Sequence, residues 1–365
     1  MRMSRFRRAT LGPGFGYTPG EQPADGEGWL KLNSNESPLP PSPRIAEAVA
    51  AAAAGLARYP DPQAEPLRSA LARYHHVEPE HVFVANGADQ VLDCLFRAFV
   101  GPGDTLVRTE PGYSLLPVLA TLFSACDVGV PVEPDGSLPS QFASQDAVLR
   151  IVVNPNSPTG HWIEPAALER SLDGASGVIA VDEAYCDFAP ASCVERLAGH
   201  RSWVVVRTLS KSHALAGLRI GYALGDPELI DDLNAVRDSY PVDRCAIAGA
   251  LAALDDEPRH REIVDTVVRE RNRLSDGLRG LGWEVADSGA NFILARPPLS
   301  TTAVDVGAHL RTERILVRHF DTSGLGDRLR ISIGDGTATD RVLAAVASMQ
   351  PRGEPAQDGE SLACT

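Results

Sequence analysis

"WVVVRTLSKSHALAGLRIGYAL", residues 203–224, passes from a continuous apolar run through a single lysine into a glycine-rich apolar stretch. "WVVVRT" (203–208) has the β-branched continuity of a strand buried on both faces. Lys211 therefore sits where a strand has just ended. Most lysines are solvated, but Ser210 and Ser212 flank this one, Arg219 follows, and the surrounding sequence is unlike a surface loop. A strand of this kind needs a sheet covered on both sides, so the neighbouring segments decide the fold.

Outward from it, "HVFVA" (81–85), "TLVRT" (105–109), "AVLRIVV" (147–153), "GVIAVD" (177–182) and "RIGYAL" (219–224) are similarly β-rich. Helical patterns such as "ADQVLDCLFRAFV" and "PAALERSL" alternate with them. That alternation predicts an α/β fold built on a mostly parallel sheet. Upstream, "SPRIAEAVAAAAAGLARYP" reads as a helix capped by Ser42 with Pro43 in its first turn. The glycine- and proline-rich start reads as an extended arm. After about residue 255 a long charged amphipathic helix (257–281) leads into "NFILAR", "ILVRHF" and "LRISIG", predicting a smaller α+β domain. The expected division is an arm over 1–32, part of the small domain over 33–56, and a large domain over 57–255. The rest of the small domain follows over 256–350, then a disordered tail over 351–365.

Composition narrows the function. A formal charge of −14 over 365 residues disfavours nucleic acid or an anionic membrane as the main partner. No run reaches the length of a membrane span, and "MRMSRFRRAT" is followed by no apolar signal-peptide core. The six cysteines form no CxxC pair and no metal-ligand spacing, so reduced thiols, a cytoplasmic location and no metal site are expected.

In open parallel sheets, ligands bind beyond the carboxyl ends of the strands. After "HVFVA" stands Asn86-Gly87-Ala88-Asp89, a glycine opening a helix whose free N–H groups can cradle an anion. After "AVLRIVV" stands "NPNSPTG" (154–160), headed by the amide of Asn154. Asp182 ends "GVIAVD" as a buried carboxylate in need of a partner, unless it caps the next helix. Lys211 ends the fourth. Pyridoxal phosphate asks for this set: an anion site, an amine for its aldehyde, a carboxylate for its ring nitrogen and a donor to its ring oxygen. Arg219, Thr208 and Ser210 can complete the phosphate site.

The combination of these motifs with "YTPGE" (17–21), "LNSNESPLPPSP" (32–43), "RYPDP" (58–62), "PGYS" (111–114), "VDEAYCDF" (181–188), "ILVRHF" and "LRISIG" resembles fold-type I, class I/II aminotransferases. The likeness is closest to the histidinol-phosphate aminotransferase branch and spans residues 17–334. It implies a large cofactor domain with a seven-stranded-type sheet and a smaller α+β domain. It further implies that Lys211 holds the cofactor and shuttles a proton, that Asp182 pairs with the ring nitrogen, and that Asn154 and Tyr185 donate to the ring oxygen. Tyr113 would stack on the ring. Gly87, Ala88, Asp89, Thr208, Ser210 and Arg219 would hold the phosphate. Tyr59 would reach the neighbouring subunit's site, implying a homodimer. Arg330 would grip a substrate carboxylate, while Arg318, Tyr17 and Asn35 would complete the substrate side. An amino donor and a 2-oxo acid acceptor follow as small-molecule partners.

Three departures from the resembled pattern fall near substrate-facing loops: Ser37 and Pro40, Pro241 in "SYPV" (239–242), and Ser-His-Ala (212–214) after the lysine. His213 could face the pocket and titrate, or it could be a packed histidine. Two readings of the reaction remain open on sequence. One is transamination of histidinol phosphate or a close analogue with 2-oxoglutarate. The other is an aminotransferase, decarboxylase or cyclase of specialised metabolism acting on another amino acid.

Overall fold

The computed structural model describes residues 4–12, 14–24, 28–133, 135–322 and 324–349. The expected tail over 351–365 lies outside the described residues. In chain order the first strands are β1 (Leu30–Lys31), β2 (Val82–Asn86), β3 (Thr105–Glu110), β4 (Cys126–Pro131), β5 (Leu149–Val153) and β6 (Val178–Asp182). Then come β7 (Trp203–Thr208), β8 (Ile220–Gly225), β9 (Glu284–Val285), β10 (Phe292–Arg296), β11 (Ile315–Leu316), β12 (Arg318–His319) and β13 (Leu329–Ser332). The helices are α1 (Pro43–Ala53), α2 (Glu65–His75), α3 (Ala88–Phe99), α4 (Leu115–Phe123), α5 (Ser140–Ser144) and α6 (Pro165–Ser171). They continue with α7 (Pro227–Val236), α8 (Arg244–Leu254), α9 (Glu257–Gly280), α10 (Ala303–Thr312) and α11 (Gly336–Ala347).

A seven-stranded sheet in the order β2-β8-β7-β6-β5-β3-β4 forms the larger lobe. From β4 to β7 the strands run parallel, whereas β8 is antiparallel to both β7 and β2. The chain from Leu209 to Arg219 holds only a short 3-10 turn, too little for the helical crossover that a parallel return requires. As expected, β7 is buried throughout: Val204 and Val206 enter the apolar cluster on one face, Trp203 and Val205 the cluster on the other. Beyond β3, β4 ("CDVGVP") is an edge strand that sequence reading missed. Most of its residues are exposed or half-buried, so it carries no continuous apolar signal.

The smaller lobe packs α9, α10 and α11 on an antiparallel sheet in the order β12-β13-β10-β9. Two expectations about its makeup need correction. Residues 30–32 do not belong to a free arm: β1 pairs in parallel with β11, Leu30 opposite Ile315, and Leu32 enters the small-lobe core. Conversely, α1, expected with the small domain, puts Ile45 into the cluster formed with α2, α8, β2 and β8. Its alanine-rich face is smooth enough to lie closely on α8, where Gly249 sits against Ile45 and Val49. "ILVRHF" is also two strands, β11 and β12, that join different sheets.

Candidate active site

The carboxyl ends of β5, β6 and β7 open into a cavity of about 500 Å³ between the lobes. It brings together Ala88, Asp89, Tyr113, Asp182, Tyr185, Thr208, Ser210, Lys211 and Arg219 from the large-lobe sequence. Facing them are Tyr17, Asn35, Arg318 and Arg330.

At one end, Gly87 precedes α3 with φ +83°, the left-handed region that glycine occupies without strain. A Cβ there would lie 2.5 Å from Arg219 Nη2, so glycine alone lets the guanidinium lie over the start of the helix. Arg219 is held only loosely, 3.4 Å from Asp89 Oδ2 and 3.5 Å from Ser210 Oγ. Thr208 Oγ1 is 2.9 Å from Ser210 Oγ and also bonds the Ile220 carbonyl. Two hydroxyls, a guanidinium and the first turn of α3 thus converge as a site for a dianion.

Asp182 is buried at 4% exposure and accepts one hydrogen bond, from the Ala184 N–H at 3.0 Å. Burial pushes its carboxyl up to about 7, against that bond. A buried carboxylate so sparsely satisfied calls for a cationic donor. The Lys211 ammonium is 3.5 Å from the Ser34 carbonyl and 5.6 Å from the Tyr185 ring centroid. Among the described residues no carboxylate lies within ion-pair distance of it. Tyr185 accepts at its hydroxyl from Asn35 Nδ2 at 3.0 Å. Asn35, at φ +54°, is locked by Ser332, whose hydroxyl meets both its N–H and its Oδ1. Tyr113 donates to Asp89 Oδ1 at 2.9 Å, and burial with that carboxylate raises its pKa, keeping it a neutral phenol.

Three residues implied for the site are placed otherwise. Gly87 acts through Arg219 rather than by lining the cavity. The Asn154 amide is clamped on the Ile163 backbone, donating to its carbonyl and accepting from its N–H, each at 2.8 Å. Only its second Nδ2 proton remains for a ligand. Tyr59 is 76% exposed and stacks on Tyr240 at 4.5 Å, away from this chain's own cavity.

On the small-lobe side, Arg330 donates to the Asn33 carbonyl at 3.1 Å and to Ser157 Oγ at 3.4 Å, while its buried Nε has no partner. Its guanidinium lies over Phe292 and Phe320 at 5.3 Å from each ring centroid. Burial, with Arg318 nearby, pushes its pKa down, opposed by Tyr185 and Tyr17. Arg318 flanks Phe320 at 5.5 Å and donates to the Thr18 and Pro19 carbonyls. Neither arginine has a carboxylate partner among the described residues. Ser157 and Phe320 were not singled out from sequence, although both lie inside the quoted motifs "NPNSPTG" and "ILVRHF".

His213 does not face the cavity. It is buried and stacked on His260 at 4.2 Å, where burial, His260 and Arg207 push it down to about 3 despite Asp187. Asp187, His213 and His260 are the one group among the described residues with metal-ligand atoms all within 4.8 Å of one another. His75 and His81 instead bond separately to Tyr222 and to the Gly225 carbonyl. No helix among the described residues is long and apolar enough to cross a membrane.

Residues 27–346 match the family described as aminotransferase class I and II. Histidinol-phosphate aminotransferase 2 of Thiobacillus denitrificans is 40% identical over 95% of this chain and 98% of its own. Histidinol-phosphate aminotransferase 1 of Bradyrhizobium diazoefficiens is also 40% identical, over 95% of this chain and 100% of its own. The crystal structure of histidinol-phosphate aminotransferase from Sinorhizobium meliloti in complex with pyridoxal-5'-phosphate has a TM-score of 0.80. It is 26% identical, covering 87% of this chain and 89% of that one. These matches run through both lobes and the cavity between them, and the chain belongs to the class I and II aminotransferases.

Proposed function

We propose that this aminotransferase uses pyridoxal phosphate to move an amino group between histidinol phosphate, or a close phosphorylated analogue, and 2-oxoglutarate. The observation that carries the substrate reading is the pair Arg318 and Arg330, two guanidinium groups on the cavity wall with no carboxylate partner and an orphaned buried Nε. The names of the curated relatives support the same reading. The fit to the cofactor rests on Asp182, a buried acid short of a donor, and on the dianion cradle that a Cβ at residue 87 would fill.

When bound, the cofactor supplies an electron sink conjugated to the substrate's α-carbon. The first turn of α3, Thr208, Ser210 and Arg219 hold its phosphate. Asp182 keeps the ring nitrogen protonated, Tyr113 covers the ring, and Tyr185 with the free Asn154 proton meets the ring oxygen. Lys211 carries the covalent attachment and then, as a free amine, takes and returns the α-proton. Arg330 holds a substrate carboxylate. Arg318, with the Tyr17 hydroxyl, takes the second anion, either the distal carboxylate of glutamate or the phosphate of the amine.

Following the bound cofactor's absorbance during single half-reactions tests this. Histidinol phosphate and glutamate should both convert it, and preference for unphosphorylated aromatic or guanidino amino acids would sink the substrate assignment. Arg318→Ala should weaken the phosphorylated amine more than an unphosphorylated amino acid, by about 1.5–3 kcal/mol for a lost charged hydrogen bond. Equal losses would make the residue structural.

The exposed Tyr59–Tyr240 stack supports a homodimer in which Tyr59 completes the partner's site. Lys211→Ala chains, which keep Tyr59, mixed with Tyr59→Ala chains, which keep Lys211 and Arg219, should form mixed dimers with one intact site and so reach about a quarter of wild-type activity from that site after subunit exchange. Demonstrated exchange without recovery would show that Tyr59 serves only its own chain.

A further inference from the structure

Outside the cavity, a second cluster of ionisable groups, buried or half-buried, lies where three segments meet. Asp187 lies two residues beyond Tyr185, Ser212 and His213 come directly after Lys211, and His260 stands in the first turn of α9. Asp187 pairs with the Arg207 guanidinium and accepts from the Ser212 hydroxyl. Arg207 also pairs with Glu183 at 3.0 Å. The stacked His213 and His260 rings lie within 19° of parallel. His260 Nε2 is buried without a hydrogen-bond partner, 3.6 Å from Asp187 Oδ2. Two carboxylates against one guanidinium leave the cluster one negative charge in excess while both imidazoles are neutral.

We propose that His260 is a positioning residue for the lysine segment. A proton on its Nε2 closes a hydrogen bond to Asp187, and through Ser212 this fastens the turn carrying Lys211 to α9 of the small lobe. One negative charge in excess draws an N–H donor, whereas a divalent cation would overshoot it. Both Asp187 oxygens are already engaged, by Arg207 and by Ser212, and a fixed guanidinium charge lies against them. Burial keeps His213 neutral, so it offers a ring face rather than a second charge.

The other titratable or charged groups around the pair are Tyr74 and His75 of α2, Tyr222 of β8, and Asp256, Glu257 and Arg259 at the start of α9. Burial holds His75 neutral and Tyr74 and Tyr222 protonated through the neutral range. Those groups therefore supply no competing charge change there.

Hydrogen exchange of the 209–216 backbone in the cofactor-loaded protein, corrected for intrinsic rates, reads the device without reference to turnover. At one fixed pH His260→Phe should lose protection on the order of tenfold against wild type, the scale of one charged hydrogen bond. His260→Gln, which keeps a side-chain N–H, should recover part of it, and His213→Phe, which keeps the stack, should retain it. Wild-type protection in His260→Phe, an equal loss in His260→Gln, or a loss confined to His213→Phe would overturn the assignment. So would zinc chloride protecting the segment in wild type but not in His260→Gln, which would make the cluster a metal site. Should the variants fold poorly, the His260 ring in wild type decides: a neutral ring carrying its proton on Nδ1 rather than Nε2, read from its nitrogen chemical shifts, refutes the proposal.

Discussion

Lys211→Ala is expected to lower transamination by at least about 10³-fold, the scale of a lost general base, and to abolish borohydride fixation of the cofactor. Among the described cavity-lining residues Lys211 carries the only amine, and no carboxylate neutralises or occupies it. An amine can both attach to an aldehyde and, once released, accept a proton from carbon. Lys211→Arg separates this from a merely electrostatic role. A guanidinium keeps the positive charge but cannot be deprotonated in a protein, so the arginine variant should be as inactive as the alanine one. Substantial activity in Lys211→Arg would mean that the charge alone matters at this position, and the assignment of proton transfer would fall.

Asp182→Asn should change activity and cofactor-free stability in opposite directions. Because burial raises the Asp182 carboxyl from its usual 3.8 to about 7, the folded cofactor-free chain binds this proton more tightly than the unfolded chain does. More protons on the folded chain than on the unfolded one make stability fall as pH rises. No penalty exists below about pH 4, stability falls as pH rises from there to about 7, and the full penalty applies above. This rise corresponds to roughly 4 kcal/mol as an upper bound. At pH 8 the cofactor-free Asp182→Asn protein should therefore melt several degrees higher than wild type, and the difference should vanish near pH 4. Its cofactor-loaded form should turn over on the order of 100-fold more slowly, because an amide cannot hold the ring proton electrostatically. A lower melting temperature for the variant at pH 8 would identify the carboxylate as a cap for the Ala184 N–H instead.

Local sequence was enough to bring the candidate side chains to one place. Strands buried on both faces announce themselves by continuous β-branched runs, and each leads to a residue at or beside the cavity: Gly87 after β2, Asp182 at β6, Lys211 after β7. A parallel sheet aligns those ends, so reading order along the chain becomes proximity in space. The local helix signals also held, with Ser42 accepting from the Arg44 N–H ahead of Pro43.

What local sequence could not specify were partnerships between distant segments. Leu30–Lys31 is too short to show a period, and it becomes a strand only because Ile315–Leu316 lies beside it. The alanine run of α1 has helix propensity but no label for its lobe, which its fit against α8 decides. Asn154 reads as a free amide until the chain returns Ile163 to within hydrogen-bonding distance. His213 stays open between a pocket and a packed histidine until α9 brings His260 against it. Periodicity and turn chemistry report how a residue is treated by its own element, whereas these contacts arise when long loops close and apolar faces choose among several possible partners. The sequence by itself determined the buried strands of the sheet, their mostly parallel direction and the side chains at their ends; only tertiary closure decided the exposed edge strand, which lobe each flanking segment joined and which polar groups were left open to a ligand.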